Sequence, residues 1–575
     1  MALFSHDFES HSRARLKRPV DLEFAATRFA ADRLRIPYLL AVVLLAVYVA
    51  PSVGYQLPNY RSNLSEEYQP LQALKFFATK GAAFHKYGPM ENFILAVPYG
   101  VTLEYWKVTG QLTHFSAAYP FGFIDPLRQF GVLHLEGRIL FVLLSTLLFY
   151  FFCNRLEAIT SSWLIVTIAV LACVVTNVPL LTEVPVPRPD SAMNFFGAAA
   201  LGLYVTIVFK GLNPVRAFCL SLFAVFAVTA KELAGTMFVL PYVGLLWTEW
   251  RGTTSKSDRR NFWRSALVLI GTGIVGYGLV NIVYAPNTWV ERMNFWIFGP
   301  GIDSQVWADT TVFEPIKGIA ACMLDNLGPG GTVLVFASAV FFFLRRPPHW
   351  LLLSLPVLSL FLLGLLRMGY QEDRFYTLAA ISLCPMVVAG LAVAAETLKK
   401  RRIFEPIVVT VGLLVFANAF YATATWLILG QKSDTLMEKE VRAYACPHAR
   451  VWVFDTFPSA PASRYTLLGY TYDGRSANQV IKSPADQLPQ VIMSAASVLQ
   501  FLEDARGKPA RAAMIKRESG FDVATWRGIR ALGYPKVSTV LPQFPRWFCF
   551  GWMPTVKTFI DRNIVVIYSR PCSQV

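Results

Sequence analysis

The stretch SNLSEEYQPLQALKFF, Ser62 to Phe77, places two adjacent acids, Glu66 and Glu67, just beyond the first long apolar run of the chain. After these acids, apolar residues recur at helical spacing, which predicts an amphipathic helix lying against a membrane surface. Ser65 is a suitable N-cap, and negative charge in the first turn is stabilised by the helix dipole. The acidic pair therefore has a purely structural interpretation beside a chemical one.

The composition identifies the environment of the protein. Of its 575 residues, 54% are hydrophobic and only 16% are charged, and the net charge is +16. This balance is typical of a polytopic membrane protein and differs from that of a soluble enzyme. The basic residues fall in short clusters between apolar runs, as membrane topology requires. We therefore expect a lipid bilayer around the chain and no nucleic-acid partner.

Long apolar runs predict the membrane spans, because a spanning helix needs about 20 mainly apolar residues. About eleven such runs occur, near residues 36–54, 138–153, 160–180, 191–209, 214–230, 234–249, 265–284, 331–344, 349–366, 376–395 and 404–429. The basic tail, residues 1–35, precedes an apolar run without an evident cleavage site, which predicts a retained first helix and a cytoplasmic N-terminus. With this orientation, the short basic loops all fall on the cytoplasmic side.

The predicted spans divide the chain into a basic tail (1–35), a transmembrane domain (36–430) and a C-terminal region (431–575). The predicted outer segments are a long first loop (55–137) and the segments 182–190, 285–330 and 367–375. An odd number of spans places the C-terminal region outside the cytoplasm. There VWVFDTF (451–457) and NIVVIYS (563–569) predict strands and 484–505 predicts a helix, so we expect a small extracytoplasmic α/β domain. One pair among Cys446, Cys549 and Cys572 would form a disulfide in an oxidising compartment, and the sequence leaves the pair open.

Acids and bases converge on one predicted face of the membrane. Three outer segments, HKYGPMENF, LHLEGRIL and PRPDSAMNFF, contribute Lys86, Arg138 and Asp190. Such groups are needed if a hydroxyl is to lose a proton while an anionic phosphate departs. Lys231 and Glu232 are adjacent ions within an apolar stretch, where charge is costly, so a functional role is the default interpretation and a structural ion pair the alternative.

The order of these segments resembles that of the GT-C superfamily, membrane glycosyltransferases that take a sugar from a polyprenyl phosphate. The superfamily includes protein O-mannosyltransferases, the lipid A aminoarabinose transferase and mycobacterial arabinosyltransferases. The acidic pair after the first span resembles its signature, and HKYGPMENFILAVPYG resembles the following segment, with Gly88-Pro89 where a double proline is common. Arg138 resembles the arginine that opens the second span. RPDSAMNFFGAAAL resembles the second acidic site, and EDRFYTLAAISLCP resembles the late segment that begins with an arginine, here Arg374.

The resemblance, which covers about residues 39–385, implies roles for individual residues. Glu66 or Glu67 would be the general base on the acceptor hydroxyl, with Glu66 favoured by position. Asp190 would hold the acceptor, share a divalent metal with Glu66, or cap its helix; no cofactor is certain, since only some members use a metal. The donor phosphate would be bound by Lys86, Arg138, Arg374 and Lys231, and interfacial anchoring is the alternative for the first three. Further substrate contacts would come from Tyr68, His85, Glu183 and Glu232.

We therefore expect an α-helical, GT-C-like membrane enzyme that transfers a monosaccharide from a polyprenyl-phosphate donor to a glycan, lipid or protein acceptor. The predicted site faces outward from a bacterial plasma membrane, and a lumenal site in an ER protein would show the same pattern. A transporter or flippase would predict inverted repeats and ionisable residues near the bilayer midplane. A lipid-linked glycan polymerase or ligase would centre on cations of a large outer loop, and a scaffold would leave the acids as helix caps. The sequence identifies neither the sugar nor the acceptor.

Overall fold

The computed structural model describes residues 69–80, 87–115, 122–124, 126–175, 177, 180, 187–297, 313–367, 373–399, 410 and 531, together with seven strands between 450 and 569. Five helical regions here are long and apolar enough to cross a membrane: Gly131–Leu156, Pro189–Lys210, Lys256–Val283, Ile316–Arg345 and Arg374–Thr397. Shorter apolar helices pack among them. The chain is therefore an integral membrane protein built mainly of α-helices.

The described helices, in chain order, are α1 (Gln69–Ala78), α2 (Met90–Val108), α3 (Pro126–Leu156), α4 (Trp163–Val170), α5 (Pro189–Lys210), α6 (Pro214–Ala230), α7 (Leu233–Arg251), α8 (Lys256–Tyr277), α9 (Pro286–Ile297), α10 (Phe313–Arg345), α11 (Trp350–Leu363) and α12 (Thr377–Lys399). Helices α4 and α8 continue as π-helical segments, Leu171–Val175 and Gly278–Val283. The predicted spans from 138–153 to 376–395 all coincide with described helices. The run 36–54 lies outside the described residues, as does 404–429 apart from Thr410.

Helix α5 lies at the centre of the bundle, and every residue up to Val208 is buried. A helix that is apolar on all sides is stable only when other helices or lipid surround it. Helix α5 packs against α3, α6 and α12. Small residues permit this close packing, as at Gly197, where a Cβ would approach Leu378 Cδ1 to 2.7 Å. The packing fixes the position of Asp190 in the first turn of α5.

Several helices are interrupted in this bundle. The backbone of Lys231 is extended (φ −152°, ψ 123°) between α6 and α7. Helix α10 is kinked at Gly328, whose φ is +67°, immediately before Pro329. A 3₁₀ turn, Asp373–Tyr376, precedes α12. Non-helical backbone within a membrane protein is tolerated only where protein or a water-filled cavity satisfies its polar groups, so these breaks are places to search for a site.

Two segments that we predicted as loops contain helices. Helix α1 lies where the sequence predicted a helix after the acidic pair, and the predicted first loop, 55–137, also contains α2 and the first turns of α3. Helix α9 and the first half of α10 lie in the second, 285–330, and residues 298–312 between these helices lie outside the described residues. The outward position of this segment stays a prediction. The predicted segment ends at Gly330, whereas Gly328 and Pro329 lie at a kink inside one long helix.

The strands form one sheet in the order β2-β3-β4-β1-β5-β7-β6. They are β1 (Arg450–Phe454), β2 (Thr471–Asp473), β3 (Asn478–Lys482), β4 (Gln490–Ser494), β5 (Ala512–Arg517), β6 (Lys536–Val540) and β7 (Val565–Ser569). Strand β1 pairs in parallel with β4 and β5, and the other pairs are antiparallel. Strands β1 and β7 confirm the two predicted strands.

The helix predicted for 484–505 is wrong over Gln490–Ser494, because this segment is strand β4, paired on both sides by β3 and β1. Sheet pairing across the chain overrides local periodicity here. The remainder of the predicted helix lies outside the described residues, as do the three C-terminal cysteines. The extracytoplasmic position of this region stays a prediction.

Candidate functional site

Asp190 and Lys231 form a buried ion pair between helices. Lys231 Nζ donates a hydrogen bond to Asp190 Oδ1 at 2.5 Å. The Lys231 side chain is 7% exposed and the Asp190 side chain is fully buried. Asp190 lies in the first turn of α5, and Lys231 lies in the break between α6 and α7. Burying two charges carries a desolvation penalty that their attraction often fails to offset. A pair kept in such a place is therefore a candidate for function.

Two aromatic rings lie against the Lys231 ammonium. Lys231 Nζ is 5.1 Å from the centroid of the Tyr87 ring and 4.3 Å from that of Phe375. Contacts of this length allow the negative face of a ring to stabilise a cation where water is excluded. Tyr87 precedes α2 and Phe375 lies in the turn before α12, so Lys231 joins three distant parts of the sequence.

Arg188 and Arg374 bring further positive charge to Asp190. Both arginines interact electrostatically with its carboxylate. Arg188 is buried immediately before α5, and the guanidinium carbon of Arg374 lies 5.3 Å from the centroid of Phe375. In the part of the chain that the structure describes, three cations thus act on one buried carboxylate.

Glu232 and Arg292 form a second ion pair beside the first, with Arg292 Nε 3.0 Å from Glu232 Oε1. Arg292 Nη2 also donates to Asn281 Oδ1 at 2.6 Å, and Nη1 donates to the carbonyl oxygen of Tyr87 at 3.2 Å. The neighbours Lys231 and Glu232 therefore each pair with a residue far away in the sequence. We call the whole arrangement the charged cluster: Asp190, Lys231, Glu232, Arg292, Arg188 and Arg374, with Tyr87 and Phe375.

Gly88 explains how the segment before α2 reaches the charged cluster. A Cβ at this position would overlap the carbonyl group of Thr229, in the last turn of α6. Only glycine permits so close an approach of two backbones. Gly88 therefore allows the chain to pass beside α6, where the Tyr87 ring contacts Lys231.

The structure brings together four of the predicted site residues: Asp190, Lys231, Glu232 and Arg374. The others, except Arg138, lie outside the described residues, and their roles stay predictions: Glu66, Glu67, Tyr68, His85, Lys86 and Glu183. Tyr87, Arg188, Arg292 and Phe375 were not predicted. Two adjacent ions in an apolar stretch imply partners of both signs, but sequence spacing does not identify them.

Arg138 is buried in the middle of α3. The prediction that it opens the second span was wrong, since α3 begins at Pro126 and its apolar stretch at Gly131. A Cβ on the neighbouring Gly137 would come within 2.8 Å of Pro187 Cγ, so this turn of α3 packs on the segment leading into α5. The binding of phosphate by Arg138 stays a prediction.

Among the described residues, no three His, Cys, Asp or Glu side chains are arranged to hold a metal ion. Asp190 Oδ1 is occupied by the ammonium of Lys231. The predicted metal shared by Asp190 and Glu66 also depends on Glu66, which lies outside the described residues. Metal binding therefore stays a prediction.

The fold and the charged cluster define an integral membrane protein whose interrupted helices enclose paired acids and cations. The chain is similar in structure to ArnT from Cupriavidus metallidurans bound to undecaprenyl phosphate, with a TM-score of 0.45, 11% identity, and coverage of 95% of this chain and 98% of that chain. It is also similar to the oligosaccharyltransferase AglB from Archaeoglobus fulgidus in complex with an inhibitory peptide and a dolichol-phosphate, with a TM-score of 0.40, 11% identity, and coverage of 72% and 62%. No protein-family model and no curated protein sequence matches the chain.

Proposed function

We propose that the protein is a membrane glycosyltransferase that transfers a monosaccharide from a polyprenyl-phosphate donor to a glycan, lipid or protein acceptor. The observation that supports this best is the charged cluster, in which the buried pair Asp190–Lys231 lies beside Arg188 and Arg374. Carboxylates and cations at one site are the groups required when a hydroxyl loses its proton and a phosphate departs.

The cations of the charged cluster suit the phosphate of the donor. Arginine binds phosphate oxygens through parallel hydrogen bonds, and lysine supplies a compact positive charge. In the reaction, the acceptor oxygen forms a bond to the anomeric carbon, and the bond from that carbon to the phosphate oxygen breaks. The phosphate keeps the electron pair of the broken bond, so its negative charge increases as it leaves. We propose that Lys231, Arg188 and Arg374 stabilise this negative charge.

The general base in this proposal is Glu66, with Glu67 orienting donor or acceptor and Asp190 holding the acceptor. The packing of α1, which follows these acids, supports the assignment. Phe76 of α1 stacks on Tyr284 with ring centroids 5.1 Å apart and meets Phe93 of α2 edge-on at 5.7 Å. Helix α1 therefore packs against α2, whose preceding segment carries Tyr87, and against the end of the π-helical segment that carries Asn281.

The proposed site faces outward from a bacterial plasma membrane, with the N-terminus in the cytoplasm and the C-terminal sheet outside. Undecaprenyl phosphate in ArnT and dolichol-phosphate in AglB are long isoprenoid phosphates. We propose a carrier of this chemical class for the present chain. An acceptor of glycan, lipid or protein type would approach from the same side as the sheet.

The test of this proposal is sugar transfer by the purified protein. Radiolabelled polyprenyl-phosphate sugars and membrane extracts are incubated with the wild type and with Glu66→Gln, Glu67→Gln and Asp190→Asn at matched folded yield. Loss of a general base is expected to lower transfer by about 100- to 10,000-fold. Glu104→Gln is the control, because Glu104 is 71% exposed and pairs only at the surface with Lys107.

The proposal predicts that at least one acidic variant loses transfer while it still binds the donor, and that Glu104→Gln transfers like the wild type. Equal transfer by all the acidic variants would assign the acids to helix capping. A wild type that forms no product from any donor would favour the transporter or scaffold alternatives.

A further inference from the structure

Arg292 joins three segments at the charged cluster, although it lies in a region that the sequence predicted as loop. Its side chain is only 2% exposed. It pairs with Glu232 at the α6–α7 break. It also donates hydrogen bonds to Asn281 Oδ1 in the π-helical segment after α8 and to the Tyr87 carbonyl before α2. One guanidinium thus links elements that are otherwise separate in the sequence.

Tyr87 contacts both Arg292 and Lys231. Tyr87 uses its carbonyl oxygen for Arg292, while its ring lies against the Lys231 ammonium. Movement of this carbonyl therefore moves the ring. Tyr87 also follows Lys86, which the sequence predicts as a phosphate ligand.

We propose that Arg292 is a positioning residue for donor binding: it holds the Tyr87 backbone so that the Tyr87 ring stays against Lys231. This inference rests on the proposed function, because it assigns Lys231 to the donor phosphate. Arg292 acts through Tyr87, so substitutions at the two positions affect one shared contact.

The geometry requires arginine at this position. The planar guanidinium directs Nη1 and Nη2 to two different acceptors while Nε lies 3.0 Å from the Glu232 carboxylate, and the lysine ammonium lacks this fixed fork. Asn281 reaches Arg292 from a π-helical segment, and single π turns in α-helices are frequent at functional sites. We therefore expect Arg292→Lys to keep the positive charge and to lose the position of Tyr87.

The experiment is a double-mutant cycle with Arg292→Lys, Tyr87→Ala and the combined variant, each measured for donor KM, kcat, thermal unfolding and binding of polyprenyl phosphate. Loss of one hydrogen bond to a charged group is expected to raise donor KM about tenfold in each single variant. Because both changes remove the same contact, the combined variant is expected to match the larger single effect rather than their product. We expect kcat to stay within about twofold of the wild type.

Two further variants keep the experiment decisive. Arg251→Lys, in the last turn of α7, is the control and should leave donor KM unchanged. Asn281→Ala removes one anchor of Arg292 without changing charge, so it should raise donor KM even where Arg292→Lys folds poorly.

Multiplicative effects in the combined variant would overturn the inference, as would wild-type donor KM in Arg292→Lys or in Asn281→Ala. A lower unfolding temperature without a change in KM would show a structural role only and would also overturn it. If the wild type itself does not bind polyprenyl phosphate, the proposed function fails. If the wild type binds it and all variants bind it equally, the inference alone fails.

Discussion

At the residue scale, Asp190 and Lys231 each stabilise the charge of the other. Each is buried, and each supplies the counter-charge that makes the other tolerable away from water. Removal of one partner therefore does more damage than removal of both, because it leaves an isolated buried charge. This asymmetry separates the stability of the pair from its role in the reaction.

We predict that Lys231→Met lowers the free energy of unfolding by about 3–5 kcal/mol, because the Asp190 carboxylate loses its ammonium partner. The combined variant Asp190→Asn/Lys231→Met should lose less, and thermal unfolding in detergent measures both. Lys107→Met is the matched control, because its pair with Glu104 is exposed and contributes little. A combined loss equal to the sum of the two single losses would show that the residues are not coupled.

The sequence predicted both Asp190 and Lys231 as site residues, but it did not predict that they pair. Charge inside an apolar stretch marked Lys231 and Glu232 as residues in need of an explanation. Their partners, Asp190 and Arg292, are separated from them by tens of residues and are brought close by helix packing alone. The contacts of the Tyr87 and Phe375 rings with Lys231 were also not predicted. Contacts between distant segments produce no recognisable pattern of residue spacing in the sequence.

At the scale of elements, close backbone packing and one polar network hold the segments that carry the charged cluster. Gly88 places the segment before α2 against α6. Asn326 of α10 accepts hydrogen bonds from Asn177 Nδ2 at 3.0 Å and Thr377 Oγ1 at 3.3 Å. Thr377 directly follows the turn that carries Arg374 and Phe375, so this network supports the turn.

Gly88→Ala should lower the free energy of unfolding by about 1–3 kcal/mol, because the new Cβ displaces one backbone from the other. The same substitution at Gly100 in α2 meets no atom within 4 Å among the described residues. Gly100→Ala should therefore be neutral or stabilise by up to about 1 kcal/mol. Equal unfolding temperatures for the two alanine variants would contradict the close approach at Gly88.

Asn326→Leu should destabilise the protein by about 1–3 kcal/mol for each buried donor that it leaves without its acceptor. It should also lower kcat/KM, because the turn with Arg374 and Phe375 loses its support. Ser338→Ala is the control on the same helix, since the Ser338 hydroxyl donates only to the Leu334 carbonyl one turn away. An unchanged kcat/KM in Asn326→Leu would separate this network from the site.

The elements themselves were predictable to the extent that hydrophobicity determines them. Long apolar runs correctly indicated the described helices α3 to α8 and α10 to α12, whereas α9 lies in a segment predicted as loop. Lipid requires each backbone group to bond within its own helix, which is why apolar length predicts helices. Breaks at Lys231 and Gly328 were not predicted, because they depend on contacts with neighbouring helices. Strand β4 was mistaken for a helix because its pairing partners lie elsewhere in the chain.

At the scale of the whole molecule, basic residues in the last turns of four helices contrast with the charged cluster, which lies at the start of α5. Helices α3, α5, α7 and α10 carry a basic residue in their last turn: Arg155, Lys210, Arg251 and Arg345. The charged cluster lies at the opposite end of α5, around Asp190. Cytoplasmic ends of membrane helices are enriched in Lys and Arg, so the orientation predicted from the sequence puts these four ends in the cytoplasm and the charged cluster on the outer side.

Cysteine labelling in intact cells tests this orientation. In a background without other reactive cysteines, Thr254→Cys, between α7 and α8, should react with a membrane-impermeant thiol reagent only after lysis. Asn287→Cys, exposed in α9, should react before lysis. The reverse pattern would place the charged cluster on the cytoplasmic side.

The most direct test of the central claim, that the charged cluster binds a lipid phosphate, is the affinity of the purified protein for polyprenyl phosphate. Wild type is compared with Asp190→Asn/Lys231→Met, which removes the buried pair together, and polyprenol without phosphate is the control ligand. We predict that the combined variant binds polyprenyl phosphate at least about tenfold more weakly, since a charged hydrogen bond is lost, and that polyprenol binding is unchanged. Equal affinity of both proteins for polyprenyl phosphate would contradict the claim.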